Sequence, residues 1–236
     1  MGRQAYDIIF ENDRYIAVNK PSGMLTIPDR AQSEDSLKDL LLRRFGQVYT
    51  VHRLDKDTSG IILFAKTETT HQYLCQLFEN RKVEKYYLGL VKGELSPQTG
   101  LIEAPIAEHP TLKGTMAIHR TGKASSTGYE VMTSNSFFSL VKFQLFTGRT
   151  HQIRVHSKHI GHPLACDPIY GDGEPVRLSA YKKNYKLSKN ELEDRPMIGR
   201  LALHAYQLKF EDENGEMMDL TATAPKEFTV LMKQLK

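Results

Sequence analysis

Cysteine is almost missing from these 236 residues: Cys75 and Cys166 stand 91 positions apart and form no Cys-x-x-Cys pair. A disulfide scaffold is thereby excluded, and a reducing, cytoplasmic setting is the expectation. Long apolar runs are missing too. The longest resemble Gly60–Ala65, far short of the roughly 20 residues of a membrane helix, so no membrane association is expected. Asp7, Glu11, Asp13 and Arg14 interrupt the start of the chain, which does not read as a signal peptide. Equally absent are GxxxxGK[ST] and GxGxxG, which would cradle phosphates, and GxSxG, which would present a nucleophilic serine. A nucleotide cofactor and a serine hydrolase therefore lack support. There is no internal repeat and no low-complexity tract.

What is present is an ordinary globular composition. Hydrophobic residues make up 40% and charged residues 25%, with 16 Gly and 10 Pro, which suits one large domain or two small ones. The net charge is +4 but unevenly spread. Between His109 and Cys166 seven Lys or Arg face one acid, Glu130; between Val176 and Arg200 seven face three; Ala205–Lys236 carries four against six. Basic runs are usually solvated faces, yet two such blocks in the second half also suit a polyanionic partner.

Apolar periodicity predicts strands over Asp7–Asn19, bent at Asn12-Asp13, then a turn at Lys20-Pro21-Ser22-Gly23. Ser36–Phe45 reads as a helix with Leu37, Leu40, Leu41 and Phe45 on one face, Asp35 as cap and Gly46 as stop. Ile61–Ala65 reads as a buried strand, Thr70–Asn80 as a second helix, and Tyr86–Val91 and Phe137–Phe146 as strands. Leu201–Phe210 and Met217–Thr221 make a hairpin over an Asn-Gly turn, and Pro225–Lys236 a closing helix. The expected class is α+β, with a mixed, mostly antiparallel sheet flanked by helices and loops. Residues 1–236 are read as a single domain in which the polar, basic stretch of about 172–198 looks inserted.

Two stretches carry chemistry. The first, His52-Arg53-Leu54-Asp55-Lys56-Asp57-Thr58-Ser59-Gly60, is polar and leads directly into the buried strand, where a rigid support can hold catalytic groups. Asp55 lies between Arg53 and Lys56, cations that favour its ionised form. A plain turn, with Asp57, Thr58 and Ser59 bonding their own backbone, is the alternative. The second, Gly148–His156, is dense in donors: Arg149, His151, Gln152, Arg154 and His156. Guanidinium forks bind carboxylates or phosphates. As a strand the segment puts Thr150, Gln152 and Arg154 on one face; as a helix it puts His151 beside Arg154. His156, His159, His162 and Cys166 have spacings that would suit metal on a helix, but Gly161 and Pro163 break one there, and with no HExxH or paired CxxC no metal is expected.

These motifs resemble the RNA pseudouridine synthases of the RluA type. His52–Gly60 is similar to that family's HRLD-x-x-TSG signature, and Lys85–Gly93 to its K-x-Y-L-A-L-V-x-G strand, with Gly89 where Ala is usual. Gly148–His156 resembles GRTHQIRVH, Gly161–Gly171 the following GHP…D-x-x-YG, and Leu203-His204-Ala205 a late LHA element. The matches run in order from about Tyr6 to Lys236. The resemblance starts at the catalytic region, with no counterpart of the S4 RNA-binding domain that some members carry. It implies the pseudouridine synthase fold and isomerisation of a specific uridine in structured RNA, ribosomal or transfer, by a monomer without a cofactor. It makes Asp55 the catalytic carboxylate, as nucleophile or base, Arg154 its partner, and Tyr87 the residue against the uracil. His52, Arg53, Arg149 and His151 become candidates for RNA contact. A non-catalytic RNA-binding protein or assembly factor on the same fold would be expected to have lost Asp55, Tyr87 or Arg154, and all three are present.

Lys182, Lys183 and Lys186, interleaved with Tyr181 and Tyr185, add a candidate site for loop RNA within the insertion, against the simpler reading of a solvated loop. Changing the three lysines to Ala should weaken RNA binding and lower the log–log salt slope by about 0.7–0.9 per lost phosphate contact. An unchanged slope in filter binding across salt would return the segment to a solvated loop.

Overall fold

Short strands around Asn12-Asp13 open the computed structural model, which describes residues 5–31, 34–182, 185 and 194–235. In chain order the elements are β1 (Asp7–Glu11), β2 (Tyr15–Lys20), α1 (Leu37–Phe45), β3 (Tyr49–Thr50), β4 (Ser59–Ala65), α2 (Glu68–Glu79), β5 (Glu84–Lys92) and β6 (Thr99–Glu103). There follow β7 (Ile106–Glu108), β8 (Met116–Ile118), β9 (Ser126–Ser134), β10 (Phe138–Leu145), α3 (Gln152–His159), a 3-10 turn at Leu178–Ala180, β11 (Leu203–Glu211), β12 (Met217–Thr221) and α4 (Lys226–Gln234). Antiparallel pairs predominate and β11 runs parallel to β4, the mixed α+β pattern expected. Among the described residues no helix is long and apolar enough to cross a membrane.

The chain divides into two compact units, Met1–Tyr87 with His204–Thr223, and Leu88–Leu203 with Ala224–Lys236, so that the boundary falls inside β5. In the first unit the strand order is β1-β2-β4-β11, with β12 beside β11 and β3 beside β4. Every residue of β4 is buried, which is why its sequence lacks alternation. Leu37 and Leu41 of α1 and Leu74 and Leu77 of α2 join Ile16, Val18, Ile62 and Phe64 in one buried core. The cap of α1 is Ser36 rather than Asp35. The Ser36 hydroxyl accepts from the Asp39 N–H at 3.3 Å while Asp39 accepts from the Ser36 N–H at 2.9 Å, a reciprocal box that Asp35, one residue too early, cannot make. Likewise α2 starts earlier than expected, because Thr67 caps it through the Thr70 N–H.

In the second unit β10, β9 and β6 form an antiparallel sheet, and β7 and β8 a separate ribbon. Gly148–His156 resolves into the helical alternative. The inserted stretch is closed by a bridge between Val176 and Ile198, and the Lys182 ammonium donates to Gln234 at 3.1 Å. Tyr181 lies edge-on against Phe137 and Phe138, with ring centroids 5.2 and 5.0 Å away. It is a half-buried packing residue and not the open stacking surface that its spacing suggests. Lys183 and Lys186 lie outside the described residues.

One glycine decides how β4 meets β11. Ala205 faces Gly60 in the parallel pair, and a Cβ at Gly60 would stand 2.1 Å from the Ala205 carbonyl oxygen, at a φ of +115°. Gly60→Ala should therefore cost at least about 3 kcal/mol through backbone strain and overpacking together. Thermal unfolding checks this; a melting temperature equal to wild type would contradict it.

Candidate active site

The loop between β3 and β4 is fixed before any catalytic group is considered. β2 ends in Lys20, whose side chain is fully buried and whose ammonium donates to the carbonyls of Pro21, Met24 and Lys56 at 3.0, 2.7 and 2.9 Å. The Ser22 hydroxyl donates to the Asp57 carbonyl at 2.6 Å, and the Gly23 N–H to that of Lys56 at 3.0 Å. Thr26, also buried, brackets Leu54: its hydroxyl donates to the Leu54 carbonyl at 2.9 Å and accepts the Leu54 N–H at 3.2 Å. The side chain of Leu54 is itself in the core. Asp55 therefore sits on a backbone pinned on both sides, and its own carbonyl accepts the Thr58 N–H at 3.2 Å to close the turn. Sequence reading took Lys20 as part of a turn and missed its role. A lysine ending an otherwise apolar strand, YIAVNK, was the available signal.

His52 supports the loop from below. Its Nε2 accepts the Leu63 N–H at 3.1 Å, and its ring stacks on Phe78 with centroids 4.4 Å apart. Burial, and after it the positive charge of Lys85, lowers its pKa from 6.5 to about 3, so the imidazole is neutral. Arg53 points its backbone into the same loop and is exposed. Ser59, where β4 begins, holds His204 of β11 at 2.9 Å between Oγ and Nδ1.

Tyr87, near the middle of β5, is brought within electrostatic reach of Asp55 in the same unit. Burial first, and then the negative charge of Asp55, pushes its phenol well above the ordinary tyrosine range. A neutral phenol beside a carboxylate is a hydrogen-bond donor and an apolar ring at once.

The second unit contributes Arg154 on α3. Its Nε and Nη2 donate to the two oxygens of Asp167, both at 2.8 Å, and both residues are buried. Burial alone would raise the Asp167 pKa, but the Arg154 bonds, its charge and the N–H groups of Ile169 and Tyr170 outweigh it and hold the carboxyl below its usual value. This fork uses two of the five guanidinium N–H groups. The ring of Tyr170 lies 5.0 Å from the Arg154 guanidinium carbon, and its hydroxyl lies 2.8 Å from Nδ1 of His151, which precedes α3 with φ of 55°.

The start of α3 is set by Gln152. Its amide oxygen accepts from the Thr147 hydroxyl at 2.8 Å and the Arg149 N–H at 3.0 Å, while its amide nitrogen donates to Ser126 and Thr127. Arg149 is half-buried near the Ala124 carbonyl. His156 lies 2.9 Å from the Thr127 hydroxyl and 3.0 Å from the Ala104 carbonyl, so both ring nitrogens are engaged inside the protein. Among the described residues no group of three or more His, Cys, Asp or Glu could hold a metal ion.

Residues 14–159 match the family model described as RNA pseudouridylate synthase. The ribosomal large subunit pseudouridine synthase D of Buchnera aphidicola subsp. Schizaphis graminum is 33% identical over 239 residues, covering 98% of this chain and 74% of that protein. The protein of that name from Nitrosomonas europaea is 34% identical over 236 residues, 97% of this chain and 65% of its own length. Among solved structures, human RNA pseudouridylate synthase domain containing 1 superposes with a TM-score of 0.74 at 26% identity, over 95% of this chain and 87% of that one.

The depressed His52 pKa links the loop to acid stability. Because the unfolded histidine takes up its proton near 6.5 and the folded one only near 3, this contribution is complete above pH 6.5 and is lost as pH falls toward 3. In His52→Gln, whose amide oxygen can still accept the Leu63 N–H, denaturant midpoints should fall less steeply over that window than in wild type. Parallel acid limbs in the two proteins would contradict the assignment.

Proposed function

We propose that this chain, which belongs to the RNA pseudouridylate synthase family, uses the carboxylate of Asp55 to convert a uridine of large-subunit ribosomal RNA to pseudouridine. The family's reaction is an isomerisation: the bond from uracil N1 to ribose C1′ breaks, the base turns, C5 bonds to C1′, and the C5 proton is released as N1 gains one. Atoms balance within one nucleotide, so the chemistry calls for an acid–base and positioning apparatus and for no cofactor.

The observation that carries the reading is that Asp55 lies within electrostatic reach of the buried Tyr87 phenol. Asp55, on its pinned turn, acts at the ribose as nucleophile or base. Tyr87 lies against the uracil as a neutral phenol. Once the charge of Asp55 is consumed in a bond to carbon or hydrogen, one of the two influences raising the phenol pKa is removed, and Tyr87 becomes better able to take the C5 proton. Arg154, whose guanidinium is oriented by Asp167, is the cation we assign to the reaction. The target base leaves its stack to reach these groups.

We take residues 1–236 as one catalytic domain that acts as a monomer. Arg53, Arg149, His151 and Lys182 supply contacts to the RNA backbone, and His52 acts through the loop it supports. The names of the two bacterial relatives make large-subunit ribosomal RNA the first substrate to test, ahead of transfer RNA.

Asp55→Asn changes one charge on a nearly isosteric side chain. On a large-subunit rRNA transcript that the wild type modifies, it should lower turnover by about a thousandfold or more while RNA affinity stays within about twofold. Arg154→Lys keeps the charge but loses the fork to Asp167, so turnover should drop strongly and stability by roughly 3 kcal/mol as Asp167 loses its buried partner. Wild-type turnover in Asp55→Asn would remove Asp55 from the chemistry.

A further inference from the structure

Beside α3, within the second unit, lies a cavity of about 350 Å³ that none of the residues assigned above to the catalytic step occupies. Its volume is toward the lower end of the roughly 300–1,000 Å³ of ligand pockets. Leu112, Met116 and Val155 make it apolar, Tyr170 adds an aromatic surface, and His109 and Lys158 add polar groups. Leu112, in the turn that joins β7 to β8, is 58% exposed, so the cavity communicates with solvent.

The polar groups have a defined character. Nδ1 of His109 accepts the N–H groups of Leu112 at 3.1 Å and Thr111 at 3.3 Å, which leaves the neutral ring its proton on Nε2, as a donor. The Lys158 ammonium stands 6.0 Å from the Tyr170 ring centroid. An apolar lining that includes the 5%-exposed Tyr170 ring, with a cation and a fixed N–H donor beside it, suits a base and its phosphate. The cavity also lies in the most basic part of the chain, where seven Lys or Arg face one acid between His109 and Cys166.

We propose that this cavity takes an unstacked nucleotide of the substrate RNA, other than the uridine that reacts, with its base among Leu112, Met116 and Tyr170 and its phosphate toward Lys158 and His109. This rests on the reading of the chain as an RNA uridine isomerase. The site is joined to the chemistry by short links: the Tyr170 ring that lines the cavity also carries Arg154 at 5.0 Å, and its hydroxyl accepts the Met116 N–H at 2.8 Å. A nucleotide held here sets the register of the RNA one side chain away from Arg154.

Leu112→Glu and Lys158→Ala both fall at exposed positions, so each variant keeps the fold. Binding and steady-state turnover of an in vitro large-subunit rRNA transcript are measured for both and for wild type across salt. The expected result is a rise of about tenfold in Kd and KM in each variant, with kcat changed less than about threefold. In Lys158→Ala the log–log salt slope should also fall by about 0.7–0.9, one phosphate contact. Unchanged Kd and slope in both variants would overturn the proposal. A wild type that binds the transcript but leaves its uridines unmodified would instead fault the functional reading, because Kd still reports on the cavity.

Discussion

The Lys20 ammonium is buried away from water and is bonded to three backbone carbonyls, and the geometry of the candidate site follows from that arrangement. An ammonium taken out of water is costly unless its donors are matched, and three carbonyls at 2.7–3.0 Å match all three of them. Two of those carbonyls belong to the turn after β2 and the third to Lys56, next to Asp55. The end of one strand is thereby tied to the loop that enters another. Ser22, Gly23 and Thr26 repeat the connection by shorter bonds, and the buried strand β4 supplies the rigid base. Asp55 is presented by backbone that has little freedom, which is what a carboxylate acting on a ribose requires.

The second unit uses the same device with the charges exchanged. There a buried carboxylate, Asp167, gathers a guanidinium and two backbone N–H groups, and fixes Arg154 as Lys20 fixes the Asp55 loop. Gln152 performs the corresponding service for the start of α3. In both places a polar residue that touches no substrate in our reading is more deeply buried than the groups it positions. Substitutions at Lys20, Gln152 or Asp167 are therefore expected to look like folding defects, although they also move the Asp55 loop or Arg154.

Much of this was legible in the sequence because it depends on local pattern. β2, β4, α1, β10 and the β11–β12 hairpin follow from periodicity and turn residues, and the Asp55 loop from polar density ahead of a buried strand. The strands β3 and β6–β9 were missed because they are short, Gly-interrupted or nearly patternless; β3 and β6 are held by partners farther along the chain, and β7 and β8 by each other. The helical form of Gly148–His156 was undecidable locally: Gln152 finds Ser126 and Thr127 only once β9 is in place. Tyr181 looked available for stacking because its partners, Phe137 and Phe138, are more than forty positions away in the chain. The roles of Lys20 and Asp167 were hidden for the same reason, since a buried ion declares itself only through what surrounds it.

Site-resolved pseudouridine mapping of ribosomal and transfer RNA, from cells with and without the gene, asks directly whether this chain makes pseudouridine in RNA. One or a few defined uridines of large-subunit ribosomal RNA should lose the modification without the gene and regain it when the wild-type gene is returned. Identical maps in the two strains would contradict it.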